Sequence, residues 1–209
     1  MKIVLMGAGG KLGTYLHHDW AERYEVEAVT RNEVDLRDSE ALRMFLEARD
    51  FDALVNCAAT ASPEACEANA KEAELVNGVA PGVMAGLCAN RGARFVHFST
   101  DYVLDGSGAG LKDESAETHA LGHYGRSKLG GERRVLDESP SALICRVSWV
   151  FGQGMSSFLP SIVSRARSGE ELEAVGDKWS KPTSAVDISR SVEALLGVEA
   201  ATGVVHLVN

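Results

Sequence analysis

Lys2-Ile3-Val4-Leu5-Met6-Gly7-Ala8-Gly9-Gly10-Lys11-Leu12-Gly13, running into the helix-like stretch Thr14 to Tyr24, decides the fold. The apolar run reads as a short strand buried on both faces, and the glycines that follow mark a tight turn before a helix. Strand, glycine turn and helix in that order present a helix N-terminus to the pyrophosphate of a dinucleotide. Gly7 permits the turn, Gly10 lets the backbone approach the anion, and Gly13 lets helix and strand pack closely. The register is Gly-x-x-Gly-x-x-Gly, with Gly9 blurring its distinction from Gly-x-Gly-x-x-Gly. No Gly-Lys-Ser/Thr follows, which excludes a Walker A phosphate loop.

Outward from this stretch, strand-like runs at Lys2 to Met6, Glu25 to Val29, Ala53 to Asn56, Arg94 to Ser99 and Ala142 to Val147 alternate with helix-like ones. The helices are expected over about 12–23, 39–49, 70–90 and 121–138, with Pro81-Gly82 dividing the third because proline has no N–H to donate. Beyond Val150 the pattern reads helix (156–168), short strand (172–175), helix (185–196) and a final strand (204–208). Such alternation implies an α/β fold, a doubly wound parallel sheet of the Rossmann type covered on both faces. Residues 1–150 are read as its dinucleotide-binding domain. Residues 151–209 are read as substrate-lobe elements interleaved with the last sheet strands.

A second constellation lies beyond the fourth strand. Tyr124 and Lys128 are spaced i,i+4 on a helix, so phenol and ammonium share a face, and Ser99-Thr100-Asp101-Tyr102 precedes them behind the run Arg94 to Phe98. A cation beside a phenol lowers a pKa that starts near ~10. A phenol tuned in this way can protonate a carbonyl oxygen while a nicotinamide delivers hydride.

Composition narrows the function classes. The 209 residues, 45% of them hydrophobic, can bury one substantial core. With 30 acids against 21 scattered Lys and Arg and a net charge of −9, a nucleic-acid partner is not expected. The N-terminal apolar run is too short for a secretory signal or membrane span, so no membrane association and a cytoplasmic location are expected. Cys57, Cys66, Cys88 and Cys145 form no Cys-x-x-Cys and read as buried, reduced thiols. His119 and His123 have no carboxylate or cysteine at ligand spacing, so no metal is assigned. His97, on an apolar strand, reads as a satisfied core histidine or one acting behind the site, not as a catalyst. Asp113 and Glu114 read as a solvated loop.

Gly7/Gly10/Gly13, Ser99-Thr100-Asp101-Tyr102-Val103-Leu104-Asp105-Gly106 and Tyr124-Gly125-x-Ser127-Lys128-x-Gly130 together resemble the extended short-chain dehydrogenase/reductases, specifically the dTDP-4-dehydrorhamnose reductase branch. The likeness continues through Val55-Asn56-Cys57-Ala58-Ala59, Val76-Asn77-Gly78-Val79-Ala80-Pro81, Cys145 to Gly152 and Pro182-Thr183. It implies a reductase of a 4-keto-6-deoxy sugar nucleotide. In this reading Tyr124 protonates the carbonyl oxygen, Lys128 holds the nicotinamide ribose and lowers the phenol pKa, and Thr100 hydrogen-bonds the carbonyl. Asp101 and Trp149 match positions that contact the sugar. Lys11 and Leu12 belong to the cofactor loop, Asp35-Leu36 match the pair at the adenine, and Ala58-Ala59 match the segment beneath the cofactor. Where NAD enzymes place an acid after the second strand, this chain has Thr30-Arg31-Asn32; the Arg31 guanidinium suits a 2′-phosphate, which favours NADPH, with NADH the second choice.

Several features depart from the family pattern. No proline stands in Thr118 to His123, and Asp177-Lys178-Trp179-Ser180-Lys181-Pro182-Thr183 replaces Asp-Gln-x-Gly-x-Pro-Thr, which leaves sugar specificity open. The chain stops at Asn209 where relatives continue, so a small, incomplete substrate lobe is expected, with NADPH bound well and sugar nucleotide weakly unless a further segment or a partner, such as a second copy in a homodimer, completes it. Two other readings remain. One is a sugar-nucleotide 4-epimerase or 4,6-dehydratase, the latter disfavoured because Tyr102 stands where dehydratases carry a glutamate. The other is a non-catalytic, NADP-binding regulatory subunit resembling the methionine adenosyltransferase β subunits.

Overall fold

The computed structural model describes residues 1–107, 110–153, 155, 158–173, 176 and 180–209, without the side chains of 158 and 159. In chain order the strands are β1 (Lys2–Met6), β2 (Glu25–Val29), β3 (Ala53–Asn56), β4 (Arg94–Thr100), β5 (Leu143–Val147), β6 (Val150–Phe151), β7 (Thr183–Ser184) and β8 (Gly203–His206). The α-helices are α1 (Lys11–Trp20), α2 (Ser39–Glu47), α3 (Pro63–Ala68), α4 (Ala70–Ala73), α5 (Ala80–Arg91), α6 (His123–Glu138), α7 (Phe158–Arg167) and α8 (Ala185–Leu196).

Six strands form a parallel sheet in the order β2-β1-β3-β4-β5-β8. The chain steps from β1 to β2 on one side and returns to β3 on the other. This reversal opens a crevice beyond the carboxyl ends of β1 and β3. Alternation along each strand divides the core in two. Val4, Met6, Leu54, Phe95 and Ile144 face Leu42 and Leu46 of α2, Met84 of α5 and Val135 of α6. Ile3, Leu5, Val55, Val96, Phe98 and Leu143 face Leu16 and Trp20 of α1 and Ile188 and Val192 of α8. Strands covered on both sides need apolar residues at both parities, which is why β1, β3 and β4 read as near-continuous hydrophobic runs.

Helix limits follow local chemistry. The Asp38 carboxylate accepts from the N–H groups of Glu40 and Ala41, each at 3.0 Å, and starts α2. The helix expected over 70–90 is divided, but not by a kink at Pro81. A π-helical turn over Glu74–Val79 separates α4 from α5, and Pro81 sits in the first turn of α5, where a missing N–H costs nothing. Helix α3 was not foreseen in the sequence pattern; Ser62 caps it and Pro63 opens it.

Residues after Val150 serve two ends of the molecule. β6 and β7 make a separate two-stranded parallel ladder. β8 extends the main sheet beside β5, and α8 packs on α1, where Trp20 Nε1 donates to Ser189 Oγ at 2.8 Å. The strand expected at 172–175 falls partly outside the described residues, and Leu172 is not in a strand. Positions 156 and 157, at the start of the helix expected over 156–168, and Asp177, Lys178 and Trp179 also lie outside them. Among the described residues no helix is long and apolar enough to cross a membrane.

Candidate active site

The glycine turn leaves β1 at the crevice. Gly7 has φ +77°, and a Cβ there would stand 2.6 Å from the N of Ala58, so only glycine lets the turn lie against the segment that follows β3. A Cβ on Gly13 would come within 2.9 Å of Ala8 Cα, which explains the close seating of α1 on the turn. Gly10 caps α1 with no side-chain hydrogen bond, and the first turn carries no acid. The free N–H groups and the helix dipole are therefore presented to the crevice uncompensated, the arrangement an anion requires. Lys11 is exposed and Leu12 half-buried beside them.

At the end of β2, Arg31 is exposed in the turn that carries Glu33, whose carboxylate accepts from the N–H of Thr30 at 2.7 Å and its hydroxyl at 2.5 Å. Arg31 takes no partner among the described residues. Asp35 is engaged differently: its carboxylate takes Arg37 Nε at 2.9 Å and Nη2 at 2.6 Å, and this hydrogen bonding holds its pKa down at about 2. Leu36 packs half-buried at the edge of the core.

Thr100 ends β4, Tyr124 lies in the first turn of α6, and the two meet where Gly125 allows close approach. A Cβ on Gly125 would stand 3.2 Å from the carbonyl carbon of Tyr102 and closer still to its oxygen. The rings of Tyr102 and Tyr124 meet edge to face, 5.5 Å between centroids. Thr100 Oγ1 accepts from the N–H of Tyr102 at 3.2 Å and donates to Asp101 Oδ1 at 3.1 Å. The other Asp101 oxygen accepts from Ser148 Oγ at 2.6 Å. Trp149 follows with φ 44°, the only non-glycine residue with positive φ among those described, and half-buried. Strained backbone of that kind costs on the order of 1 kcal/mol or more and concentrates at functional sites. Thr100, Asp101, Tyr102, Tyr124 and Trp149 line a cavity of about 430 Å³ together with Ser99 and Val150.

Burial pushes the Tyr124 phenol up to about 12, against a lowering contribution from its hydrogen bond with Thr100. The phenol therefore stands above its ordinary value, opposite to the expected lowering by Lys128. The reason is geometric: Lys128 Nζ donates to the carbonyl of Phe98 at 2.6 Å and contacts His97 Nε2 at 3.2 Å. Burial also lowers Lys128 itself to about 8.

Two supports were not singled out as functional from sequence. Asn77, buried in the π-helical turn, accepts from the N–H of Thr60 at 2.8 Å and donates to its carbonyl at 3.1 Å and to Ser127 Oγ at 3.1 Å. It thereby ties the segment after Ala58-Ala59 to the Tyr124 helix; the available signal was an Asn inside an apolar helical stretch. Ser148 anchors Asp101 beside Trp149. Among the described residues, no group of three or more His, Cys, Asp and Glu is arranged to hold a metal ion.

The crevice fits a dinucleotide on its own geometry. The α1 N-terminus lacks a cap and an acid, and Ser99 Oγ, buried at the cavity, has no partner among the described residues. Comparison with known proteins agrees. A dTDP-4-dehydrorhamnose reductase of Mycobacterium tuberculosis is 34% identical over all of this chain and 70% of its own length. A dTDP-4-keto-6-deoxy-D-glucose reductase of Streptomyces niveus is 36% identical over 97% of this chain and 71% of its own. The crystal structure of a dTDP-4-dehydrorhamnose reductase from Clostridium acetobutylicum superposes with a TM-score of 0.93 at 30% identity, over all of this chain and 74% of that one. With the sequence pattern of the RmlD substrate binding domain matched over residues 1–209, the chain belongs to that family.

Proposed function

We propose that this chain is a cytoplasmic, NADPH-dependent reductase of a 4-keto-6-deoxy sugar nucleotide, with Tyr124 as proton donor. The observation that carries the proposal is the meeting of Thr100 and Tyr124 at one cavity by the switch-point crevice, with the phenol held in its protonated form. A phenol raised in this way is an acid at neutral pH, the state in which it can give a proton to a carbonyl oxygen. The names of the M. tuberculosis and S. niveus relatives support the substrate class.

NADPH would supply the hydride. Gly7, Gly10, Lys11, Leu12 and Gly13 would hold its pyrophosphate at the α1 N-terminus, with Ala58 and Ala59 against it and Arg31 at the 2′-phosphate. Lys128 would reach the ribose. Asp35 would contribute at the adenine chiefly through its backbone, since Arg37 occupies its carboxylate. Thr100, Asp101 and Trp149 would orient the sugar. The dinucleotide site would be built from residues 1–150, and elements after Trp149 would complete the sugar side begun by Thr100 and Asp101. The deciding experiment is NADPH oxidation on adding a dTDP-4-keto-6-deoxyhexose. Tight NADPH binding without oxidation would favour the non-catalytic reading, and no NADPH binding would remove both.

Two substitutions grade the roles. Thr100→Val should lower kcat by about tenfold, because one neutral hydrogen bond is lost while the proton donor stays. An unchanged kcat would assign Thr100 to the turn alone. Arg31→Ala should weaken NADPH by about 1–3 kcal/mol and leave NADH nearly unchanged. Equal losses for both would make Arg31 a support for the loop.

A further inference from the structure

Helix α6 begins without a cap of its own. Gly122 stands at its N-cap position and offers no side chain, and its first turn, which carries Tyr124, holds no acid. The free N–H groups of that turn need an acceptor, and one comes from 56 residues away. Glu67 Oε1 accepts from the N–H of His123 at 2.6 Å, a short bond as expected for an ionised acceptor, and Glu67 Oε2 lies 3.8 Å from His123 Nε2. Both carboxylate oxygens are thus spent at the start of α6. Glu67 gains nothing from its own helix. It lies in the last turn of α3, where a negative charge opposes the dipole, and Ser62 already caps the first turn.

We propose that Glu67 is a positioning residue for Tyr124: its carboxylate caps α6 from α3 and holds the first turn of that helix, and with it the phenol, at the cavity. Helix ends fray where their free donors are left unmet, and Tyr124 is the second residue of α6. A frayed first turn carries the phenol away from Thr100, and a small misplacement of a reacting group is costly in rate. Gly122 belongs to the same arrangement. A Cβ there would stand 3.0 Å from Glu67 Oε1, so glycine leaves the room that the distant carboxylate occupies.

The segment that supplies the cap also walls the site. Ala61 and Pro63 line the cavity beside Tyr124, and Cys66, next to Glu67, is buried and donates from Sγ to the carbonyl of Thr60 at 3.2 Å. Residues 61–67 therefore carry the cavity wall at one end and the cap of α6 at the other, which holds wall and proton donor in one frame. The contact itself is independent of the chemistry; its effect on turnover rests on the proposed reduction.

The test is amide hydrogen exchange by NMR on the full chain, read beside NADPH oxidation. In Glu67→Ala the amides of His123 and Arg126, which donate to Glu67 and to the carbonyl of Gly122, should exchange about tenfold faster, while those at the centre of α6 keep their protection. In the same variant kcat should fall by about tenfold and NADPH affinity should stay near wild type, because the misplaced group is the phenol. Glu67→Gln keeps an acceptor oxygen and should recover most of both. Adding Gly122→Asp to Glu67→Ala supplies a cap from the N-cap position itself, whose backbone is extended with φ −97° and ψ 171°, and should recover them too. Unchanged exchange in Glu67→Ala would overturn the cap. Faster exchange with an unchanged kcat, or a lower Tm with no recovery of kcat in either rescue variant, would overturn the positioning role. NADPH oxidation by the wild-type preparation is read separately: its absence counts against the proposed reduction, whereas exchange alone decides the cap.

Discussion

Tyr124→Phe loses turnover by about 100-fold or more while its affinity for NADPH stays close to wild type. Phenylalanine keeps the ring, and with it the edge-to-face contact to Tyr102 at 5.5 Å, so helix α6 retains its seat beside the turn after β4. Only the hydroxyl goes. Of the other polar groups lining the cavity, Thr100 is a poor proton donor and Asp101 accepts from both Thr100 and Ser148, which leaves Tyr102 as the other phenol there. Single-turnover measurements with saturating NADPH separate the chemical step from binding. Near-normal turnover in the variant would sink the proposed mechanism. A parallel loss of NADPH affinity would show instead that the phenol mainly holds the cofactor.

The β1 boundaries, its glycine turn and the parallel sheet were legible because each rests on local rules. Apolar residues at both parities of Ile3 to Met6 mark a strand covered on two sides, and the left-handed Gly7 against Ala58 needs a residue without a Cβ. The spacing of Tyr124 and Lys128 placed both on α6. It could not reveal that Nζ turns to Phe98 and His97, because that choice depends on β4 lying under α6, a contact across 30 residues. The π-helical turn was hidden for a similar reason. Proline is the visible breaker, whereas the division at Glu74–Val79 comes together with the buried bonds of Asn77 to Thr60 and Ser127. Asp35 shows the same limit, since its capture by Arg37 two residues away depends on the loop's turn.

Glu132→Ala destabilises the fold by about 3–5 kcal/mol, the scale for leaving one member of a buried ion pair unpaired. Glu132 in α6 and Arg146 in β5 are 3% and 5% exposed and meet through two bonds, Nε to Oε1 at 2.9 Å and Nη2 to Oε2 at 2.7 Å. At those burials solvent screens little, so the guanidinium left behind carries its desolvation cost almost in full. The nearby His206 Nε2, 3.4 Å from Nη1, brings no negative charge to replace the carboxylate. For a chain of this length the loss corresponds to a fall in Tm of roughly 6–20 °C. Removing both charges should behave otherwise: Glu132→Leu with Arg146→Met exchanges a pair for apolar volume and should recover most of the loss. Urea denaturation of Glu132→Leu, Arg146→Met and the double variant closes the cycle. A loss under about 1 kcal/mol in Glu132→Ala would mean that water reaches the guanidinium. Because Glu132 sits one turn beyond Lys128 and favours its charged form, the same variant should also shift the Lys128 midpoint down. The ion pair thus fastens helix α6 to the sheet and biases the lysine toward its charged form.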